Sequence, residues 1–438
     1  MKRTTLPVVV LVLVVVMAAA ALAACGGGDS GSSPGTSASP GGSGTVVLWH
    51  GDVDVERDAL EELAAEYNAQ DPAWQIELVF SGNSDFALQK LLTAMAGGKA
   101  PDIMYQYGSS LANLARSPRI VNMGDLIAKT PGYDWEDFYD AERLACTVDG
   151  EVRAVPSLVD DLCLVYNKKL FDDAGLSYPT ASWTWTDFRD AAKKLTDPST
   201  KNYGWAFVAD ASEDTVWRYL ATLWQADGDL LNADDTQAAF NSPAGLKSMQ
   251  LLQDMAVVDK SVYLDQGTGN YLNLFNSGKI AMLWTGPWDM STINKDVDYG
   301  VEILPADVEH ASIAGPDAWV MVDNGPDRVQ GAWDFLQWFT SPETQMEWAL
   351  KTGNLPIRKS QSEMPEYKEY LAKYPYAATF VANLDNVTKA RPNIPAYPEI
   401  SIALGQAVQG VLLGKVQPQQ ALDQSSQQVD AILAAPGQ

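Results

Sequence analysis

The stretch TVVLWHGDVDVERDALEELAAEYNAQDPAWQIELVF, residues 45–80, decides the fold. Residues 46–48 form an apolar run that predicts a buried strand, and residues 76–80 predict a second strand. Between them, apolar side chains recur at the spacing of one helix face: Leu60, Leu63, Ala64 and Tyr67. The stretch therefore predicts a strand, an amphipathic helix and another strand.

The same unit repeats directly afterwards. A second helical stripe follows, formed by Leu88, Leu91, Leu92 and Met95. Residues 103–105 predict the next strand, residues 162–166 a later strand, and residues 185–195 a helix. Strands that alternate with helices are typical of α/β proteins with parallel sheets. About 390 residues follow residue 44, which is long for one core, so we expect two domains.

The N-terminus has the pattern of a bacterial lipoprotein signal. Lys2 and Arg3 precede an apolar run over residues 6–24, and small residues lead directly to Cys25. We expect residues 1–24 to be a signal peptide and Cys25 to carry lipid, so that the protein is anchored on the extracytoplasmic face of the cell membrane. Residues 25–44 are the lipidated cysteine and a flexible Gly/Ser linker. An uncleaved membrane helix is the alternative.

Composition excludes several classes of function. Fifty-six acidic and thirty basic residues give a net charge of -26, which repels nucleic acid and anionic membrane surfaces. Cys146 and Cys163 remain after the lipidated cysteine, and they form either a disulfide or two buried thiols. His50 and His310 are the two histidines of the chain, and no Cys/His pair has metal-ligand spacing. We therefore expect neither a metal nor a cofactor.

Fourteen tryptophans are the second informative feature. Trp49, Trp284 and Trp288 follow predicted strands, where open α/β sheets form their ligand crevices. An exposed ring at such a position can stack on the apolar face of a sugar, while carboxylates and amides bond its hydroxyls. For any single tryptophan, a packed core ring is the alternative.

Several separate stretches, taken in order, match a known family. They are Val47-Leu48-Trp49-His50-Gly51-Asp52, Gly97-Gly98-Lys99-Ala100-Pro101-Asp102-Ile103, residues 150–156 before Leu164-Val165-Tyr166-Asn167-Lys168, Lys279-Ile280-Ala281-Met282, Thr285-Gly286-Pro287-Trp288, Ser341-Pro342-Glu343, Gly353-Asn354-Leu355-Pro356-Ile357-Arg358 and Arg391-Pro392-Asn393-Ile394-Pro395. The chain resembles the family 1 extracellular solute-binding proteins of ABC importers, in their carbohydrate-binding, maltose-binding-protein-like group.

The resemblance implies a two-lobed α/β fold of the type II periplasmic-binding class, with two discontinuous domains, a hinge and a ligand cleft. It implies a monomer that closes on a sugar or oligosaccharide and delivers it to the ABC permease subunits. The expected bounds are 45–157 plus 312–366 for lobe 1, 162–305 plus 367–438 for lobe 2, and 158–161 and 306–311 for the hinge crossings.

The resemblance also assigns candidate ligand-binding residues. A polar position after the first strand falls on Asp52, with His50 nearby, and the position after the Pro-Asp-Ile strand falls on Gln106, with Tyr107 next. The remaining candidates are an acidic pair after the hairpin proline, the rings and acid of the Gly-Pro-Trp region, and two further tryptophans: Asp160, Asp161, Trp284, Trp288, Asp289, Trp217 and Trp224.

A second branch of the family binds glycerol phosphates and related diesters. Ser84, Gly108 and Pro398 stand where that branch has a tyrosine, a glutamate and an arginine, and these mismatches favour a neutral sugar. Arg358 and Arg391 are able to rebuild an anion site, so the glycerol-3-phosphate or glycerophosphodiester alternative stays open.

Two other classes of protein are alternatives. A glycoside-acting surface enzyme needs two carboxyls that flank one bond, whereas successive strand residues such as Asp160 and Asp161 point to opposite faces. No Gly-x-Ser-x-Gly elbow or phosphate loop stands in a fitting place. An adhesin or a receptor that partners a sensor would show no closure on a ligand. We therefore expect a protein that is not an enzyme.

Overall fold

A computed structural model describes residues 42–82 and 84–435, which belong to one unit, 41–438. The predicted signal peptide, the predicted lipidation site at Cys25 and the predicted linker as far as residue 41 lie outside the described residues. Among the described residues, no helix combines the length and the apolar character needed to cross a membrane.

Strands and helices alternate along most of the chain. In the described ranges the strands are β1 Gly44–His50, β2 Trp74–Phe80, β3 Ile103–Tyr107, β4 Thr147–Val148, β5 Glu151–Val152, β6 Ala154–Leu158, β7 Cys163–Asn167, β8 Tyr203–Val208, β9 Val262–Asp265, β10 Ile280–Thr285, β11 Tyr299–Glu302 and β12 Asp317–Met321. The helices there are α1 Asp54–Ala69, α2 Ser84–Ala96, α3 Leu111–Ala115, α4 Gly124–Lys129, α5 Asp140–Ala145, α6 Lys168–Asp173, α7 Trp185–Leu195, α8 Glu213–Gln225, α9 Pro243–Gln253, α10 Asn270–Asn276, α11 Pro287–Met290, α12 Pro326–Phe339, α13 Pro342–Thr352, α14 Pro365–Lys373, α15 Ala377–Asn383, α16 Tyr397–Leu412 and α17 Pro418–Leu433.

The first large sheet has the strand order β2-β1-β3-β12-β6. β1 pairs in parallel with both β2 and β3, as the repeated strand-helix unit predicts. α1 covers this sheet with a fully buried face that includes Leu60 and Leu63. β12 is antiparallel to β3 and to β6, so its first residue lies at the edge where β3 ends. Side chains at that edge come from strand ends far apart in sequence.

The second large sheet has the order β11-β7-β10-β8-β9. β8 pairs in parallel with β10 and β9, whereas β7 is antiparallel to β10 and β11. Its core contains the fully buried rings of Trp205 and Trp284, which pack 5.0 Å apart between centroids. Each large sheet has its own apolar core, so the expected α/β class is confirmed.

Two chain segments join the sheets. Residues 159–162 connect β6 to β7, and residues 303–316 connect β11 to β12. The two segments run side by side, since Asp161 pairs with Ala314 and the Gly315 N–H donates to the Asp160 carbonyl at 3.1 Å. Backbone hydrogen bonds therefore tie the two crossings together between the sheets. The predicted lobe and hinge bounds stay a proposal.

Cys146 and Cys163 are free thiols in this structure. Cys146 packs in a cluster behind the first sheet, and Cys163 packs in another cluster that includes Val165 and Leu283. Both are fully buried, and burial raises the pKa of each thiol well above its ordinary value. Of the two sequence-based alternatives, the structure has the buried thiols and no bridge.

Candidate ligand-binding cleft

A cleft of about 480 Å³ lies between the two large sheets. Parallel strands bring their carboxyl ends to one edge, and loops at such an edge form the ligand crevice of open α/β folds. The first sheet, its helix α1 and the crossings contribute Glu56, Tyr105, Tyr107, Leu158, Asp160, Gly315 and Asp317. The rest of the lining is Val208, Asp210, Ser212, Glu213, Asp214, Trp217, Asp265, Gly267, Gly269, Tyr271, Trp288 and Arg391.

Two tryptophans form the aromatic wall of the cleft. The ring centroids of Trp217 and Trp288 are 5.5 Å apart, with a 57° angle between their planes. The Trp217 indole N–H donates to the Ala314 carbonyl at 3.2 Å, which fixes this ring against a crossing. Trp288 is half-buried and lies over Gly286, where an added Cβ would stand 1.8 Å from the ring. Glycine at position 286 therefore leaves the space that the Trp288 ring occupies.

Two neighbouring carboxyls form the floor. Asp160 Oδ1 accepts from the Gly315 N–H at 2.8 Å, and Asp317 Oδ2 accepts from the Tyr105 hydroxyl. Burial raises the pKa of Asp160 to about 8, while Arg391 lowers it and Asp161 raises it further. Burial, followed by the Asp160 charge, raises the pKa of Asp317 well above its ordinary value. Both carboxyls therefore ionise at a higher pH than exposed aspartates do.

Glu56 adds a third carboxyl from the first turn of α1. Its Oε1 accepts from the Asn354 side-chain amide at 3.0 Å. Burial, then the nearby Asp52 charge, raises the pKa of Glu56 to about 7. This carboxyl is half-ionised near neutral pH, so it can either accept or donate a hydrogen bond there.

Arg391 is the guanidinium of the cleft, and it is already paired. Its Nη1 lies 2.9 Å from Glu213 Oε1, at the start of α8. The same Glu213 carboxylate accepts from Tyr397 at 2.7 Å and from the Ser401 hydroxyl. Both members of the ion pair are largely buried, with 7% and 14% of their side chains exposed. Most of the Arg391 charge is therefore balanced within the protein.

Two hydrogen-bonded acids shape the rest of the wall. Asp265 ends β9 and accepts from the backbone N–H groups of residues 268, 269 and 271, which orders the loop that carries Tyr271. The Tyr271 hydroxyl donates to Asp289 Oδ2 at 2.8 Å, and the Thr285 hydroxyl donates to the same oxygen at 2.5 Å. Asp289 thus holds the Tyr271 ring in place from behind.

The structure brings four of the predicted residues to the cleft surface: Tyr107, Asp160, Trp217 and Trp288. Three others lie just behind that surface. His50 Nδ1 and Asp52 Oδ2 are 3.4 Å apart at the end of β1, and Asp289 supports Tyr271.

The other predicted residues lie outside the cleft lining. Gln106 is fully buried, because strand alternation turns its side chain away from the face that carries Tyr105 and Tyr107. Asp161 accepts from the Asn383 side-chain amide at 2.6 Å in the interior.

The remaining three have structural partners. Trp284 and Trp224 belong to the core of the second sheet. Arg358 donates to the carbonyls of Thr340 at 2.6 Å and Asp134 at 2.8 Å, so backbone oxygens outside the cleft occupy these donors.

Sequence reasoning missed several lining residues: Glu56, Tyr105, Asp210, Ser212, Glu213, Asp214, Asp265, Tyr271 and Asp317. Tyr105 alternates with Gln106 on β3, so the period of the strand was the signal for this ring. Asp317 is the first residue of an antiparallel strand. A search for site residues at the ends of predicted strands therefore does not find Asp317.

The chain is similar in sequence and in structure to known solute-binding proteins. UgpB, the sn-glycerol-3-phosphate-binding periplasmic protein of Escherichia coli (strain K12), is 26% identical over 419 residues, covering 89% of this chain and 92% of that protein. A solved solute-binding protein of an ABC transporter from Thermotoga lettingae TMO, bound with alpha-D-tagatose, aligns with a TM-score of 0.80 and 28% identity. That alignment covers 90% of this chain and 100% of the other.

A second solved structure is the cyclic alpha-maltosyl-1,6-maltose binding protein from Arthrobacter globiformis. It aligns with a TM-score of 0.76 and 28% identity over 90% of this chain and 99% of that one. These alignments confirm the expected two-lobed, type II binding-protein fold. Residues 54–346 match the profile described as bacterial extracellular solute-binding protein, and since this is more than half of the sequence, the chain belongs to that family.

Proposed function

We propose that this chain is the substrate-binding lipoprotein of an ABC importer that captures a sugar or oligosaccharide between its lobes. The observation that carries the proposal is the cleft itself, which the rings of Trp217 and Trp288 line together with the carboxyls of Asp160 and Asp317. Rings cover the apolar face of a sugar, and carboxyls bond its hydroxyls with fixed orientation. The similar protein bound with alpha-D-tagatose and the similar cyclic alpha-maltosyl-1,6-maltose binding protein support a carbohydrate ligand.

Capture depends on contacts to both sides of the cleft. We assign 45–157 plus 312–366 to one lobe, 162–305 plus 367–438 to the other, and the hinge to 158–161 and 306–311. A ligand that touches both lobes stabilises the closed form over the open form by its differential affinity. The ABC permease then distinguishes the closed form, and a monomer is sufficient for this cycle.

Attachment to the cell surface follows from the N-terminal pattern. Cys25 accepts lipid after removal of residues 1–24, and residues 26–44 connect the anchor to the globular part. A variant with Ser at position 25 is expected to lose membrane association. Fractionation of cells that express either form checks this expectation.

Asp160 and Asp161 do not form the catalytic pair of a glycosidase, so we assign the protein a binding function without catalysis. Asp160 faces the cleft, whereas Asp161 bonds Asn383 in the interior, so these two carboxyls do not flank one sugar bond. Oligosaccharide recovered uncut after incubation with the protein supports a binding protein, and fragments would indicate hydrolysis.

The experiment that tests the function is a ligand screen with the chain from residue 45 onward. Thermal shift and tryptophan fluorescence are recorded against monosaccharides, oligosaccharides, polyols and glycerophosphodiesters. A ligand that binds only the folded protein raises the melting temperature by mass action. Sugar hits support the proposal, and a response to none of these compounds contradicts it.

A glycerol phosphate or its diester is the second candidate, because UgpB is among the relatives of this chain. The charge of the cleft favours the sugar: Arg391 is paired with Glu213, and an anionic ligand would meet Asp160 and Asp317. A response confined to glycerophosphodiesters would favour the second candidate.

A further inference from the structure

The lining of the cleft has far more negative than positive groups. Among the described residues it contains the carboxyls of Glu56, Asp160, Asp210, Glu213, Asp214, Asp265 and Asp317, and one guanidinium, that of Arg391. Glu213 already pairs with Arg391, and Asp214 pairs with Arg218 on α8. The deeper acids have no such partner, since no ion pair to Asp160, Asp317 or Glu56 occurs within residues 42–82 and 84–435.

Asp160 and Asp317 each present one oxygen without a hydrogen bond from the protein. Their side chains are more than nine-tenths buried, with residue exposures of 8% and 5%. Asp160 uses Oδ1 for the Gly315 N–H, and Asp317 uses Oδ2 for the Tyr105 hydroxyl. No donor among the described residues reaches Asp160 Oδ2 or Asp317 Oδ1. Because both side chains line the cavity, a ligand can reach these two oxygens.

Closure of the cleft makes two adjacent carboxyls difficult to accommodate. Expelling water removes the solvation of the carboxylates and strengthens their mutual repulsion. A neutral hydroxyl can bond to each acid, but it supplies no charge, so the acids must then keep their protons. A metal ion does not fit, because in the described part of the chain no three His, Cys, Asp or Glu side chains are arranged to hold one. An ammonium group supplies both donors and charge.

We propose that the ligand is an amine-bearing sugar or polyol, whose protonated amine lies between Asp160 and Asp317 and beside the Trp217 ring. This proposal rests on the proposed sugar-binding function. The Trp217 ring lies close to Asp160, since a Cβ placed on Gly315 would touch both Asp160 Oδ1, at 2.5 Å, and Trp217, at 3.3 Å. A cation over an indole face gains a further attraction. The carbohydrate part of the ligand then occupies the rest of the cleft.

The raised pKa values of the two acids agree with this assignment. Burial raises the pKa of Asp160 to about 8 and the pKa of Asp317 well above its ordinary value. Of the charged groups around the pair, Arg391 opposes the shift, whereas Asp161, Glu56 and Asp52 reinforce it. The buried Glu142 carboxyl also lies within electrostatic range of both acids. A bound ammonium favours the ionised acids, so binding at neutral pH releases protons.

The test compares matched pairs of ligands by isothermal titration calorimetry at pH 7. The pairs are glucose and glucosamine, galactose and galactosamine, mannose and mannosamine, and cellobiose and its diamino analogue, with N-acetylglucosamine as a neutral amide control. For the tightest pair, the amine is expected to bind at least about tenfold more tightly, as one charge-assisted hydrogen bond implies. Titration in buffers of different ionisation enthalpy is expected to show proton release.

The outcomes separate the amine assignment from the proposed sugar-binding function. If a neutral sugar binds as tightly as its amine partner, or more tightly, the amine assignment is overturned and the sugar-binding function stands. If no sugar of either class binds, both proposals fail together.

Variants give a second readout. Asp317→Asn is expected to reduce the preference for the amine about tenfold while the neutral partner changes less. The matched control is Asp161→Asn, which changes an adjacent buried acid outside the lining and keeps an oxygen for Asn383. An unchanged preference in Asp317→Asn, with a melting temperature near that of the parent protein, would overturn the assignment.

Discussion

Trp288→Ala tests the site most directly. Trp288 is half-buried in the cleft, where its ring lies over Gly286 and 5.5 Å from the Trp217 centroid. A bound sugar covers one face of the ring, roughly 60–100 Å² of the surface that an indole can bury. At about 25 cal/mol per Å², the loss of this contact costs about 1.5–2.5 kcal/mol of binding free energy. The dissociation constant is therefore expected to rise roughly 10- to 70-fold.

The assay is calorimetric titration of the best ligand from the screen, combined with the melting temperature of the ligand-free protein. Trp288→Phe keeps an aromatic face and is expected to lose a smaller part of the affinity. Trp284→Phe is the matched control, because Trp284 is 2% exposed and packs against Phe188 and Trp205 in the core. This control is expected to lower the melting temperature and to leave the dissociation constant nearly unchanged.

The result that refutes the assignment is an affinity of Trp288→Ala within about twofold of the parent protein, since that factor is smaller than any stacking contact would give. Weakened binding in the Trp284 control, to the same degree as in Trp288→Ala, would also count against it. In that case the loss would come from disturbed packing of the second sheet and not from the cleft.

The other predictions concern Asp160, Gly286 and the buried Arg358. Asp160→Asn is expected to weaken binding. Without ligand, the variant is expected to melt like the parent at about pH 4 or below and higher than the parent near pH 8, because the raised pKa makes the folded parent lose stability as pH rises from about 4 to about 8. Equal melting curves at both pH values would contradict the burial of this carboxyl. Gly286→Ala is expected to weaken binding several-fold, measured by titration, because its methyl group displaces the Trp288 ring. Arg358→Ala is expected to lower the melting temperature through about 3 kcal/mol of lost stability and to leave affinity unchanged, and a loss of affinity alone would return Arg358 to the site.

Local patterns predicted the fold well because they record which face of each element is buried. The α1 stripe at Leu60 and Leu63 is fully buried against the first sheet, and the helix predicted over residues 185–195 has the bounds of α7. Tertiary structure decides what the patterns do not contain. Trp284 and Trp288 carry the same sequence signal, yet β10 is buried on both faces and α11 begins at the cleft. Sequence alone does not separate these two rings.

Asp317 shows the second limit of the sequence. A carboxyl at the end of a parallel strand is easy to predict, because all parallel strands end at the same edge. β12 runs against its neighbours, so its first residue reaches that edge, and this depends on the return of the chain after β11. The Asp160 and Asp317 pair therefore exists only once the two crossings lie side by side. Sequence reasoning found one member of the pair and missed the other.

The choice of ligand class follows from charge balance in the closed cleft. A phosphate needs a balancing cation, but Arg391, the guanidinium of the lining, already lies 2.9 Å from Glu213, and the Tyr397 hydroxyl also donates to that carboxylate. A phosphate that drew Arg391 towards itself would weaken this ion pair and would lie among the carboxyls of the lining, which costs binding free energy. A neutral sugar avoids that cost, because it leaves the ion pair intact. An amine-bearing sugar leaves the ion pair intact and also balances Asp160 and Asp317, so the same surroundings that disfavour an anion favour a cation.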